Sequence, residues 1–166
     1  MKMSFYAIAF CSIFFVSCGE ESKNSTKVVE TSCYSSEIGG DLTAIQLIQN
    51  QEKISGYYAW EPKAKDAGHG DFNGKIEDGK IVADFTYLIE GAIQAEEVIF
   101  KLMNDSLVQG QGELVENVVG KLVIKDHSQL QWSELFNKTD CKNVKGAIDR
   151  AIAISVEIEK QTMKTL

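Results

Sequence analysis

The side chains in this 166-residue chain that could do chemistry are two histidines, four cysteines and scattered carboxylates, and their spacing decides what chemistry. His69 stands between Asp66 and Asp71 in "KDAGHGDF", a trio that could hold a metal ion, although a solvated loop accounts for the same residues. His127, in "KDHSQ", has Asp126 and Ser128 beside it and also reads as loop. Asp84 and Glu90 are six residues apart, so on a strand they share a face and could pair for proton transfer. Asp84 shares that face with Thr86, which marks it as the solvent side. No G-x-S-x-G, H-E-x-x-H, phosphate-binding loop or paired-cysteine motif occurs. The residues point away from an enzyme, and they assign no catalytic group, metal ligand or cofactor.

The cysteines divide by position. Residues 1–17 carry one charge, Lys2, and an apolar run over residues 5–16. That run is about twelve residues, where a bilayer-spanning helix needs about twenty. A basic start, a short apolar stretch and a small residue before a break describe a secretory signal. The break falls on Cys18, between Val16-Ser17 and Gly19, and the arrangement resembles a bacterial lipobox with Phe15 in the usual place of Leu. The resemblance implies that residues 1–17 are removed as a lipoprotein signal peptide and that Cys18 takes acyl chains such as palmitate. One such chain holds a protein marginally and two hold it firmly, at about 0.8 kcal/mol per buried CH2. An ordinary secreted protein cut near Ser17 is the alternative. Residues 18–32 are rich in Ser, Glu, Lys and Thr with no apolar face, and read as a disordered tether.

Cys11 leaves with the signal and Cys18 goes to lipid, so Cys33 and Cys141 can only pair with each other. Export permits that disulfide, and closing so long a loop is worth about 4 to 5 kcal/mol on the chain-entropy model. Two free buried thiols are the alternative. The full chain is acidic, with 17 Lys and Arg against 24 Asp and Glu, net −7. Arg150 is the sole arginine. This balance excludes nucleic acid as a partner and argues against a polybasic grip on anionic lipid.

Stepping along the chain, a period of two dominates from residue 42 to about residue 136. In "KIVADFTYLIEG" Ile81, Ala83, Phe85, Tyr87 and Ile89 share one face, and Lys80, Val82, Asp84, Thr86 and Leu88 the other. Asp78-Gly79 before it is a strong hairpin signal. Further strands are expected over residues 42–49, 53–60, 71–77, 96–102, 107–115, 121–125 and 129–136. Short connections at this spacing predict an all-β domain over residues 33–141, an antiparallel meander closed as a small lipocalin-like barrel or folded as a sandwich. Glycines inside strands, at positions 56, 74, 110 and 112, suit the sharp coiling of a small barrel. In the C-terminal extension, residues 142–166, period two and a helical face coexist. Its Ala, Glu, Lys and Gln content makes a helix the expectation and a further strand the alternative.

The landmarks Cys33-Tyr34, Gly70 with Phe72 and Gly74, Ala83 to Tyr87, Glu90-Gly91, Glu97-Val98, Gly110 with Gly112-Glu113, and Asp140-Cys141 together resemble a family of small uncharacterised β-rich lipoproteins of Bacteroidota. The resemblance covers roughly residues 33–141 and implies an exported lipoprotein of β-rich fold with no assigned activity. One departure is Glu96, where that family tends to carry Arg, so any ion pair with a carboxylate such as Glu90 is lost or reversed. The phylum often places acids after the lipidated cysteine, and Glu20-Glu21 resemble that surface-export signal. Asp105-Ser106-Leu107 likewise resembles its short O-glycosylation motif, which makes Ser106 a candidate acceptor.

Together these features predict a lipid-anchored protein of the bacterial cell envelope, at the outer membrane, facing the periplasm or the exterior. Its partner through Cys18 is the membrane. Tyr57, Tyr58, Trp60, Phe85, Tyr87, Phe100 and Trp132 could line a barrel that binds a small apolar ligand. Tyr58, Trp60, Tyr87, Glu90 and Glu97 are the candidate ligand-binding residues. The alternative is a structural or protein-partner-binding envelope lipoprotein whose aromatics simply fill its core.

Overall fold

The computed structural model of the chain describes residues 29–164. Cys18, the leader and the tether up to residue 28 lie outside the described residues. The strands are β1 (Val29–Ile38), β2 (Asp41–Asn50), β3 (Lys53–Glu61), β4 (Gly68–Glu77), β5 (Lys80–Ile89), β6 (Ala92–Met103), β7 (Ser106–Gln111), β8 (Leu114–Glu116), β9 (Leu122–Ile124) and β10 (Gln131–Thr139). One helix, α1 (Lys145–Lys164), follows them. The tail is therefore helical, as its composition predicts. Residues 29–32, expected in the tether, belong instead to β1. There they pair with residues 47–50 of β2, which supplies the hydrogen bonds an isolated polar segment lacks.

The choice between barrel and sandwich is settled by two pairings. β5 pairs with β6 along its whole length, and β10 lies between β7 and β1. The ring β1-β2-β3-β4-β5-β6-β7-β10 closes on itself, an antiparallel barrel of eight strands. The expected run 107–115 breaks at Gly112, and β8 and β9 form a separate hairpin joined to β6 by one parallel bridge, Glu96 to Leu122. Sharp turns serve the strand twist. Gly39-Gly40, Asp78-Gly79 and Glu90-Gly91 all hold positive φ, the mirror-image turn that tight hairpins prefer.

Inside, the barrel is packed with rings. Tyr34, Tyr58, Phe72, Phe85, Phe100 and Phe136 are buried together with Ile45, Leu47, Val98 and Leu107. Glycine makes the room. A Cβ on Gly70 would lie 1.9 Å from the Thr86 carbonyl, and one on Gly56 1.9 Å from that of Gln46. Both strands coil so tightly that only hydrogen fits.

Outside, α1 buries Ala147, Ile148, Ala151 and Ile158, residues one helical face apart. The first three, with Val144, meet Ala44 and Ala59, small side chains of β2 and β3 that let the helix approach, alongside Cys33. Cys33 and Cys141 are bonded, Cα atoms 5.1 Å apart, stapling the lead into α1 to β1. Arg150 of α1 grips Glu61 of β3 with Nε and Nη2, each 2.7 Å from a carboxylate oxygen.

Candidate functional site

Alternation aims Tyr58 and Trp60 of β3 and Phe85 and Tyr87 of β5 into the barrel. Towards the end where β1 turns into β2, the inner face changes character. There Thr43, Gln94, Glu96, Gln109 and Glu134 replace the aliphatic residues of the far end. Tyr58 Oη donates to Gln109 Oε1 at 3.3 Å. Tyr87 Oη shares its proton between Gln94 Oε1 at 3.0 Å and Glu96 Oε2 at 3.4 Å. Thr43 Oγ1 donates to Glu134 Oε1 at 3.5 Å. This polar collar is the barrel mouth.

Three rings form one slab beneath it. Phe85 stacks on Tyr58 with centroids 4.7 Å apart, and on Tyr87 with centroids 4.6 Å apart. Trp60 stands nearest to solvent, 36% exposed, directly across from Gly68 of β4. A carbon placed on Gly68 would meet Tyr87 Cδ2 at 3.4 Å and Trp60 Cε3 at 3.7 Å. Gly68 is thus buried between the Tyr87 and Trp60 rings, with room for no more than a methyl group.

Burial governs the charges here. It raises the pKa of Glu96 above the usual carboxylate value, opposed by the Tyr87 hydroxyl, and it raises that of Glu134, opposed by the Thr43 hydroxyl. Tyr87 is pushed up to about 12 by burial, with the Glu96 charge adding. Tyr58 is pushed higher still, by burial first and then by Glu134 and Glu96. Among the described residues, neither Glu96 nor Glu134 has a Lys, Arg or His partner. The mouth is a pair of partly desolvated acids with no cation to answer them.

Of the five candidate ligand-binding residues, Tyr58, Trp60 and Tyr87 meet at this site. Glu90 and Glu97 do not. Glu90 occupies the β5–β6 turn with φ of 50° and is exposed, because the hairpin needs a two-residue reversal there. Glu97 faces outward, since Glu96 and Val98 face in. Its Oε2 accepts from the Ile124 amide at 3.0 Å and contacts His127 Nε2 at 2.8 Å, fastening the β8–β9 hairpin to β6. The alternation of Val98 and Phe100 pointed to Glu96 instead. Tyr57 faces out against the helix-side cluster. Trp132 also lies outside, under Lys101 Nζ at 4.0 Å, because a bulge between Trp132 and Glu134 reverses the alternation.

The remaining candidates for chemistry are dispersed. His69 Nε2 lies 2.7 Å from Glu61 Oε1, beside Arg150, while Asp71 accepts from Asn73. Asp84 faces outward to Lys121 Nζ at 2.6 Å, away from Glu90. Among the described residues no group of three or more His, Cys, Asp or Glu is arranged to hold a metal ion. Ser106 opens β7 after the Asn104-Asp105 turn, its Oγ 3.4 Å from Asn137 Oδ1. Comparison with models of known protein families, with curated proteins and with solved structures found no match.

Proposed function

We propose that this chain is an exported, lipid-anchored binding protein of the bacterial envelope that takes a small ligand in the mouth of its barrel. The observation that carries this reading is the stack of Tyr58, Phe85 and Tyr87 under a polar collar, with Glu96 at the Tyr87 hydroxyl and Glu134 bonded to Thr43, the cross-strand neighbour of Trp60. Rings already fill the barrel beneath, so a purely apolar ligand lying along the axis meets Phe72, Phe100 and Phe136. The mouth asks for a ligand with a flat or compact apolar body and a cationic group. Aromatic faces attract cations, more strongly where water is excluded, and unpaired buried carboxylates are costly until a cation joins them.

Tryptophan fluorescence of the extracted protein, titrated with small aryl- and alkylammonium compounds and their neutral isosteres, tests this. A saturable change for the cations is expected, weakened at least tenfold by Glu96→Gln, with protons released on binding. Equal responses to neutral isosteres, or none to any cation, would refute it. Intact mass of the same sample should show acyl chains on Cys18. A second reading, a protein-partner-binding lipoprotein, draws support from Val118 and Val119 between β8 and β9, 103% and 80% exposed.

A further inference from the structure

The end of the barrel opposite the mouth carries an arrangement that folding alone disfavours. Lys53 of β3 stands directly across from Lys75 of β4, and Lys80 of β5 directly across from Lys101 of β6. Like charges in directly opposed positions destabilise a sheet. Lys75 is answered by Glu77 and Lys101 lies over Trp132, while among the described residues no ion pair involves Lys53 or Lys80, one from each opposed pair. Acids are present too, with Glu77 ending β4 and Glu52, Asp78 and Asp105 in the turns, so this end is near neutral. The mouth end, by contrast, gathers Asp41, Glu61, Asp66, Glu90, Glu96 and Glu134 against Lys63, Lys65 and the Arg150 that pairs with Glu61.

Apolar surface accompanies the lysines. Leu102 and Met103, where β6 ends, are 50% and 56% exposed, and Val29 is 56% exposed. Val29 also borders an outer-face cleft of about 770 Å³ whose walls include Ile48 and Val82 and whose rim includes Lys53 and Lys75. β1 begins at Val29, so the chain arrives from Cys18 at this end. Eleven residues span at most about 40 Å, and ten-residue strands tilted in a barrel stand about 26 Å tall. Resting on this end uses little of that reach.

We propose that this end of the barrel lies on the bilayer surface, with the opposed lysines among lipid phosphates and Leu102 and Met103 in the interfacial layer. The acidic mouth then faces away from the membrane, open to its ligand. Lysines near an anionic surface each contribute modestly and only at short range, so the grip is local and independent of the chain's net charge. The proposal rests on the lipid-anchor reading for its setting, and on the opposed lysines and the exposed apolar tip for its direction.

The test uses the full processed protein reconstituted in phosphatidylethanolamine–phosphatidylglycerol vesicles and oxidised with dilute peroxide. Sulfoxide is read by peptide mass at Met103 and, in an Ile93→Met variant, at the mouth. Met103 should oxidise several-fold more slowly in the parent than in a Lys53→Glu/Lys80→Glu variant on the same vesicles, while the mouth reporter oxidises at one rate in both backgrounds. Equal Met103 rates in parent and variant would overturn the proposal, as would protection of the mouth reporter. A glycan on the peptide bearing Ser106 would overturn it too, since a sugar there would hold this end off the bilayer. Intact mass separates the two readings. Acylated protein with unprotected Met103 sinks the orientation alone. Unacylated protein sinks the anchor, and Met103 protection in that sample would still uphold the surface.

Discussion

Reducing the Cys33–Cys141 bond should cost the fold a large and calculable share of its stability. The two residues are 108 apart in sequence, so the intact bond confines nearly all of the barrel, though not α1, to one loop in the unfolded state. The chain-entropy relation gives about 4.8 kcal/mol at 25 °C for a loop of that size. With a urea slope of about 2 kcal/mol per M, typical of a domain this large, the midpoint should fall by about 2.4 M. The slope should also steepen, because the reduced unfolded chain exposes more surface. The assay is paired urea titrations with and without a phosphine reductant, followed by circular dichroism. Reduction avoids the cavity that Cys33→Ala would leave at a site only 1% exposed. A midpoint shift below about 0.5 M would show that the clasp does not restrict the unfolded chain and would refute the reasoning. Ready alkylation of both thiols in the unreduced protein would remove its premise.

Gly70→Ala should destabilise by about 3 kcal/mol or more, seen as a fall in Tm, because its Cβ would sit 1.9 Å from the Thr86 carbonyl and 2.7 Å from Tyr87 Cα. Gly68→Ala meets nothing closer than 3.4 Å, so stability should hold within about 1 kcal/mol while ligand affinity falls. Arg150→Ala should cost about 1 kcal/mol, less in high salt, as its side chain is largely exposed. Glu61 is held below the usual carboxylate pKa by the Arg150 hydrogen bond, so it adds stability above pH 4.5 that is lost as pH falls through its folded value. Urea midpoints of Arg150→Ala across acid pH should show that acid-side loss diminished. Glu96 and Glu134 have the opposite sign. Their folded pKa values are raised above 4.5, so the parent loses stability as pH climbs through them. The Glu96→Gln/Glu134→Gln protein should lack that decline in the same titrations.

The strands were readable where one face is greasy and the other wet. β5 shows this in every second residue, and Asp78-Gly79 marks its hairpin. β1 escaped because "TSCYSSEI" alternates small polar residues, Ser32 and Ser36 inward, with no contrast of hydropathy to betray them. Closure was legible only as one of two alternatives, a barrel or a sandwich. It depends on β10 finding β1 from the opposite end of the chain, and nothing local in Gln131–Thr139 encodes its neighbours. The disulfide was legible by elimination, the helix by composition. At the mouth, Tyr58, Trp60 and Tyr87 share the inner face that alternation along β3 and β5 requires, whereas Tyr57, named with them, faces the helix. Glu96 could have been found by the same count from Phe100, whereas Glu97 was one residue out of phase. Glu90-Gly91 carried the turn signal that Asp78-Gly79 did. Gln109 and Glu134 lie where a polar residue on a strand would ordinarily mark the outer face, so their inward aim became visible only with the ring complete.

That ring has its seam between the first strand and the last. β10 is the stave that seals the cask, and a nascent or truncated chain lacking Gln131–Thr139 would have two raw sheet edges, on β1 and β7, with nothing to mate them. Such a species cannot settle as a smaller barrel. It must stay open or stick to its neighbours, so the chain commits to its shape only once nearly all of it has been delivered.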